Sequence, residues 1–121
     1  MKTAFFALVT LASLTGCATI PVSERSDGFA VIGQTTRVAA VKIRPESVIE
    51  DSRCPMNARC VWAGQVVVDT TVMRGGTAER RQFTLGQPAG DGLVLDTVEP
   101  GKMTGKPLKP SDYSFHFSIN Q

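Results

Sequence analysis

The chain has 121 residues, with 13 basic and 11 acidic side chains and one histidine. A balance this close to neutral gives no strong field to gather nucleic acid or an acidic substrate. The length suits one domain with a core of its own.

The first element is "MKTAFFALVTLASLTGCATI". Lys2 gives a positive start, an apolar run follows from Ala4 to Leu14, and small residues close it, which is the layout of a bacterial export signal. The run is too short to span a bilayer, which takes about 20 apolar residues. Leu14-Thr15-Gly16-Cys17 resembles the lipobox of bacterial lipoproteins. By that resemblance, residues 1–16 are removed, and Cys17 becomes the first residue, acylated on its sulfur (diacylglycerol) and its amine. Ala18 stands where an aspartate would favour inner-membrane retention, so the resemblance implies an outer membrane anchor facing the periplasm. Several acyl chains anchor firmly, because each buried methylene is worth about 0.8 kcal/mol. Residues 17–28, "CATIPVSERSDG", lack periodicity and are expected to be a lipidated tether, leaving 29–121 as a single β domain.

Strand patterns then follow one another. "TRVAAVKIRP" alternates Ala39, Val41 and Ile43 against Lys42 and Arg44, which predicts one strand. "ESVIED" leads into "DSRCPMNARC". "CVWAGQVVVDTTVMRG" leaves it with Trp62, Gly64, Val66, Val68, Thr70 and Val72 on one face and Gln65, Asp69 and Thr71 on the other. Period two over that stretch predicts a half-buried strand, with Trp62 as a core anchor. Gly64 marks a bulge or room for a crossing backbone. "ERRQFTLG" places Arg81, Phe83 and Leu85 together, and "DGLVLDTVEP" places Leu93, Leu95 and Thr97 together. "YSFHFSIN" puts Tyr113, Phe115, Phe117 and Ile119 inward and Ser114, His116, Ser118 and Asn120 outward. Turns are expected at Gly75-Gly76, across 87–92 and across 100–110. Strands broken by frequent Gly and Pro turns imply an all-β fold, a small antiparallel β-sandwich or barrel with one disulfide.

Three fates compete for Cys54 and Cys60: metal ligands, a redox pair, or a staple. A closed zinc site needs four ligands, and only His116, far along the chain, could join them. Redox pairs usually sit two residues apart, whereas here five intervene. An exported chain meets an oxidising compartment, so a structural disulfide Cys54–Cys60 is expected. Pro55 and Asn57 fit a tight turn between them.

The stretch "DSRCPMNARCVWAG" resembles a signature, D-S-R-C-P-x4-C-x-W-x-G, found in small exported bacterial domains of unknown function. "GQTTRV" is similar to that family's opening strand, "RRQFTLG" to its middle strand, and "KPSDYSFHFSI" to its closing strand, with Asp112-Tyr113 in place. The resemblance implies a small exported β domain and no particular activity.

Chemistry is sparse. There is no phosphate-cradling glycine loop followed by lysine, no H-E-x-x-H and no G-x-S-x-G elbow. Glu50 and Asp51 are adjacent, so on a strand they point to opposite faces. Asp51 suits backbone hydrogen bonds before a turn, with Arg53 as its ion-pair partner. Lys102, Lys106 and Lys109 crowd "EPGKMTGKPLKP", where they serve solubility or touch lipid phosphates or an anionic wall polymer. Two functional readings stand. The first is a non-catalytic, lipid-anchored envelope module, inhibitor-like in presenting a rigid loop, with Asp51, Arg53, Pro55, Asn57 and Arg59 as the candidate binding loop. Its partners would be the membrane, through the lipid, and an envelope protein or polymer. The second is a hydrolase with an unrecognised site around His116, near Ser114 and Ser118. No cofactor, metal or nucleic acid is expected.

Overall fold

A computed structural model of the chain describes residues 23–120. The expected export signal and the expected lipidation site Cys17 lie outside the described residues. Seven strands run in order: β1 Phe29–Ala30, β2 Thr36–Val38, β3 Val41–Asp51, β4 Val66–Arg74, β5 Thr77–Thr84, β6 Leu93–Glu99 and β7 Ser114–Ile119. They form two antiparallel sheets, β2-β3-β4-β5 and β1-β7-β6. The fold is therefore a small β-sandwich, as the strand patterns predict.

Burial follows from alternation. The first sheet contributes Val41, Ile43, Val66, Val68, Val72 and Phe83 to the core, and the second contributes Leu93, Leu95, Val98, Phe115 and Phe117, with Tyr113 just before β7. Successive strand residues point to opposite faces, so each strand commits every second side chain to the layer between the sheets. Phe83 meets Phe117 edge-on across that layer at 5.6 Å between centroids, a favoured aromatic geometry. The outer face of the first sheet is polar. There Arg44 pairs with Glu46 and Arg80 with Asp69, while Arg81, on the same face as Phe83, caps the rim of the core by pairing with Glu79 and Asp91. Charges along β5, which is an edge strand, also discourage pairing with another chain.

The structure corrects several sequence expectations. "TRVAAVKIRP" is two strands, not one. The chain reverses at Ala39, whose φ is 53°, and β2 pairs back on the start of β3 with Thr36 opposite Ile43 and Val38 opposite Val41. On β6 the register shifts between Leu95 and Thr97, so Val98 rather than Thr97 turns inward with Leu95. A bulge adds one residue and resets the alternation. The strand after the cysteines begins at Val66, and Trp62 is not a core residue. Part of the expected tether is also built into the domain. Arg25 N donates to Thr35 O and Arg37 N to Arg25 O, both at 2.9 Å, and Lys42 pairs with Glu24.

Candidate functional site

The segment 52–65 joins β3 to β4 and is closed at its neck. Ser52 N donates to Gln65 O at 2.8 Å, and Gln65 N donates to Ser52 Oγ at 2.9 Å. Gly64 passes so close to this neck that a Cβ there would overlap the Ser52 carbonyl, and its φ is 68°. Only glycine meets both demands. Within the loop, Cys54 and Cys60 form the expected disulfide, with Cα atoms 5.8 Å apart. Ala58 N donates to Pro55 O at 3.0 Å and closes the turn between them.

Below the staple sits a clamp that ties the loop to the second sheet. Arg53 donates from Nε and Nη2 to the two oxygens of Asp51, each at 2.9 Å. The same guanidinium donates to Val98 O at 3.1 Å and Pro100 O at 3.0 Å. Asp51 Oδ2 also accepts from the Tyr113 hydroxyl at 2.8 Å, and Asp51 O accepts from Lys102 Nζ at 2.8 Å. A planar five-donor guanidinium is the group suited to such a hub. Burial pushes the Asp51 carboxyl up, but hydrogen bonds from Arg53 and Tyr113 outweigh it and hold it below the usual carboxylate range. Burial and the neighbouring Asp51 carboxylate push the Tyr113 phenol up to about 12.

A second loop, 100–109, lies against the first. Met56 N donates to Lys102 O at 2.8 Å, and Thr104 N donates to Asn57 Oδ1 at 2.9 Å. The Met56 thioether lies over Gly101, where an added Cβ would push it aside. Beside this end, a cleft of about 400 Å³ runs along β3 between Val48, Ile49 and Glu50 on one side and Leu108, Pro110 and Tyr113 on the other.

Of the five candidate binding residues, four face inward or are spent within the molecule. Asp51 and Arg53 are the clamp, Asn57 holds the second loop, and Pro55 is half-buried. Only Arg59 projects freely. The loop instead displays Val61, 92% exposed, Trp62, 82% exposed, and Met56, 74% exposed. Sequence periodicity hid them, because Trp62 falls in phase with the Val66–Val72 face. The signal that exposes them is the staple itself. Cys60 is drawn back to Cys54, and Gly64 passes against Ser52, so 61–63 cannot extend β4.

His116 stands on the outer face of β7, as its alternation predicts. Its partner is Asp96, which pattern reading of β6 missed because the residue sits at the bulge. His116 Nδ1 lies 2.6 Å from Asp96 Oδ1, and Ser118 Oγ donates to Asp96 Oδ2 at 2.6 Å. Phe29 packs on the imidazole at 4.3 Å between centroids. Burial works against the Asp96 charge, yet the bonds from Ser118, His116 and Thr97 hold that carboxyl below its usual range. The wiring matters. In a nucleophile relay the hydroxyl donates to the histidine and the histidine to the acid. Here Ser118 and His116 both engage the acid, so this hydroxyl is turned away from the imidazole it would need as a base.

Among the described residues, no group of three His, Cys, Asp or Glu side chains is placed to hold a metal ion, and no helix is long and apolar enough to cross a membrane. No family model, curated protein or solved structure matches the chain.

Proposed function

We propose that the protein is a lipid-anchored, non-catalytic module of the cell envelope, and that its working surface is the stapled loop end. The observation that carries this reading is the contrast between the loop's base and its tip. The base is immobilised by a disulfide, a closed neck and the Asp51–Arg53–Tyr113 clamp, while the tip holds Trp62 and Val61 out in solvent. Rigid loops lose little entropy on binding, and tryptophan is enriched where binding energy concentrates. The export-signal layout of the first residues and the lipobox resemblance at Leu14–Cys17 support the envelope location and the anchor. For the hydrolase alternative, His116 has its acid in Asp96 but not a nucleophile in Ser118, which is bonded to Asp96 instead.

A photoreactive amino acid placed at position 62 tests the surface. On irradiation of intact envelopes, adducts should form from position 62 and not from the same probe at Gln82, which is exposed on β5. Equal labelling from both positions, or none from 62, would refute the loop end as the working surface. The anchor is tested separately: an alkyne palmitate analogue should label the wild type, and Cys17→Ala should abolish the label.

A further inference from the structure

The charges of this chain are unevenly placed. The two joined loops, 52–65 and 100–109, contain Arg53, Arg59, Lys102, Lys106 and Lys109 and no acidic residue. Of the eleven acidic side chains, Glu50, Asp51, Glu99 and Asp112 border these loops, with Asp51 spent on Arg53 and Glu50 on Gln65, and the other seven lie elsewhere among eight basic ones. Two of the five loop cations are spent internally, Arg53 on Asp51 and Lys102 on the Asp51 carbonyl. Arg59, Lys106 and Lys109 have no carboxylate partner among the described residues. The same end exposes Met56, Val61, Trp62 and Met103. An overall near-neutral protein thus has one end that combines unpaired cations with solvent-exposed apolar side chains.

We infer that this end docks on an anionic phospholipid surface, with Trp62 and Val61 seated at the headgroup boundary and Arg59, Lys106 and Lys109 over lipid phosphates. The inference deepens the proposed function by naming the partner of the same surface. Tryptophan is the side chain best suited to the water–lipid boundary, and cations near an anionic leaflet each add to binding. An anionic wall polymer would satisfy the lysines but leave Trp62 and Val61 in water.

Trp62 is the chain's single tryptophan, so its emission reports the loop alone. The purified protein is mixed with two vesicle populations, one of phosphatidylcholine and one containing phosphatidylglycerol, each with and without bromine-labelled acyl chains. In the phosphatidylglycerol vesicles, Trp62 emission should shift to the blue and be quenched by the brominated chains, and high salt should reverse both. Lys106→Gln and Lys109→Gln should each weaken docking about fivefold with unchanged melting. Emission that stays water-like in phosphatidylglycerol vesicles would overturn the inference, as would wild-type docking by the double glutamine variant. Flotation with phosphatidylcholine vesicles reads the anchor independently. Protein that fails to float there lacks the lipid, yet its Trp62 response to phosphatidylglycerol still decides the docking. Protein adducts in place of lipid adducts from the position 62 probe would also reject lipid as the partner while leaving the binding surface intact.

Discussion

Replacing Asp51 with asparagine tests the clamp, because it removes one charge and keeps the shape. The carboxylate side chain is 8% exposed and the guanidinium of Arg53 16% exposed. Removing one partner of a buried ion pair costs about 3–5 kcal/mol, since the other charge stays desolvated. Asparagine retains one acceptor oxygen, so Asp51→Asn should cost about 3 kcal/mol, a large share of the roughly 5–15 kcal/mol that holds a domain folded. The lone tyrosine gives a second readout. Its phenol is raised from 10.0 to about 12, by burial first and Asp51 next. A folded pKa above the unfolded one stabilises the fold fully below pH 10, and that contribution disappears as pH rises through about 12. The rise from 10.0 to about 12 corresponds to about 3 kcal/mol. On the acid side Asp51 is depressed, so its contribution is present above the ordinary carboxylate range and lost as pH falls through the folded value. Urea unfolding at neutral pH should show a lower midpoint for Asp51→Asn with an unchanged slope. Phenolate absorbance should show Tyr113 titrating lower than in the wild type, but still above 10, because burial remains. A variant within about 0.5 kcal/mol of wild type, with Tyr113 titrating as before, would refute the clamp.

Three further outcomes follow from the fold. Gly33→Ala, with open space around it, should cost only the strain of its positive φ, about 1–2 kcal/mol, whereas Gly64→Ala should cost clearly more, because it adds the overlap with the Ser52 carbonyl to the same strain; thermal melts compare them, and equal losses would argue against the tight neck. Replacing Cys54 and Cys60 together with serine should cost about 2–3 kcal/mol, from a loop closed across six positions, while mass mapping of the wild type shows the two joined; free thiols in exported protein would contradict this. Phe117→Ala should cost about 3–5 kcal/mol through lost burial and the cavity left behind, and His116→Ala only about 1 kcal/mol, the worth of its bond to Asp96. Denaturant titration would expose a one-residue slip in β7, because such a slip exchanges the two faces and would invert the two costs.

The sequence was most legible where the sheet alone sets the period. At β7, Tyr113 just before the strand and Phe115 and Phe117 on it are buried as alternation requires, and the spacing of Cys54 and Cys60, read with the expected export, led to the disulfide. It was least legible where one residue resets the phase. Ala39 reverses the chain inside a stretch that alternation read as one strand. The bulge at Asp96 turns Val98 inward and aims the carboxylate at His116 and Ser118.

Trp62 is the most instructive case. Its phase matches β4, yet the residue lies two positions before Gly64, and Gly64 is fixed by contact with Ser52 on the far side of the neck. That contact joins residues twelve positions apart, beyond the reach of any local window, so periodicity assigned the indole to the core. Once the neck and staple are in place, 61–63 have no strand beside them and the indole has no core to enter. The large apolar side chains left outside are then a consequence of the same closure that makes the loop rigid. Exposing Trp62 forgoes about 2 kcal/mol or more of burial that a core position would have given, and the fold already has Phe83, Phe115 and Phe117 to fill that core. The exposed indole is therefore not needed to hold the sandwich together, which is why Trp62→Ala should leave folding stability almost unchanged while removing the membrane response of the loop end.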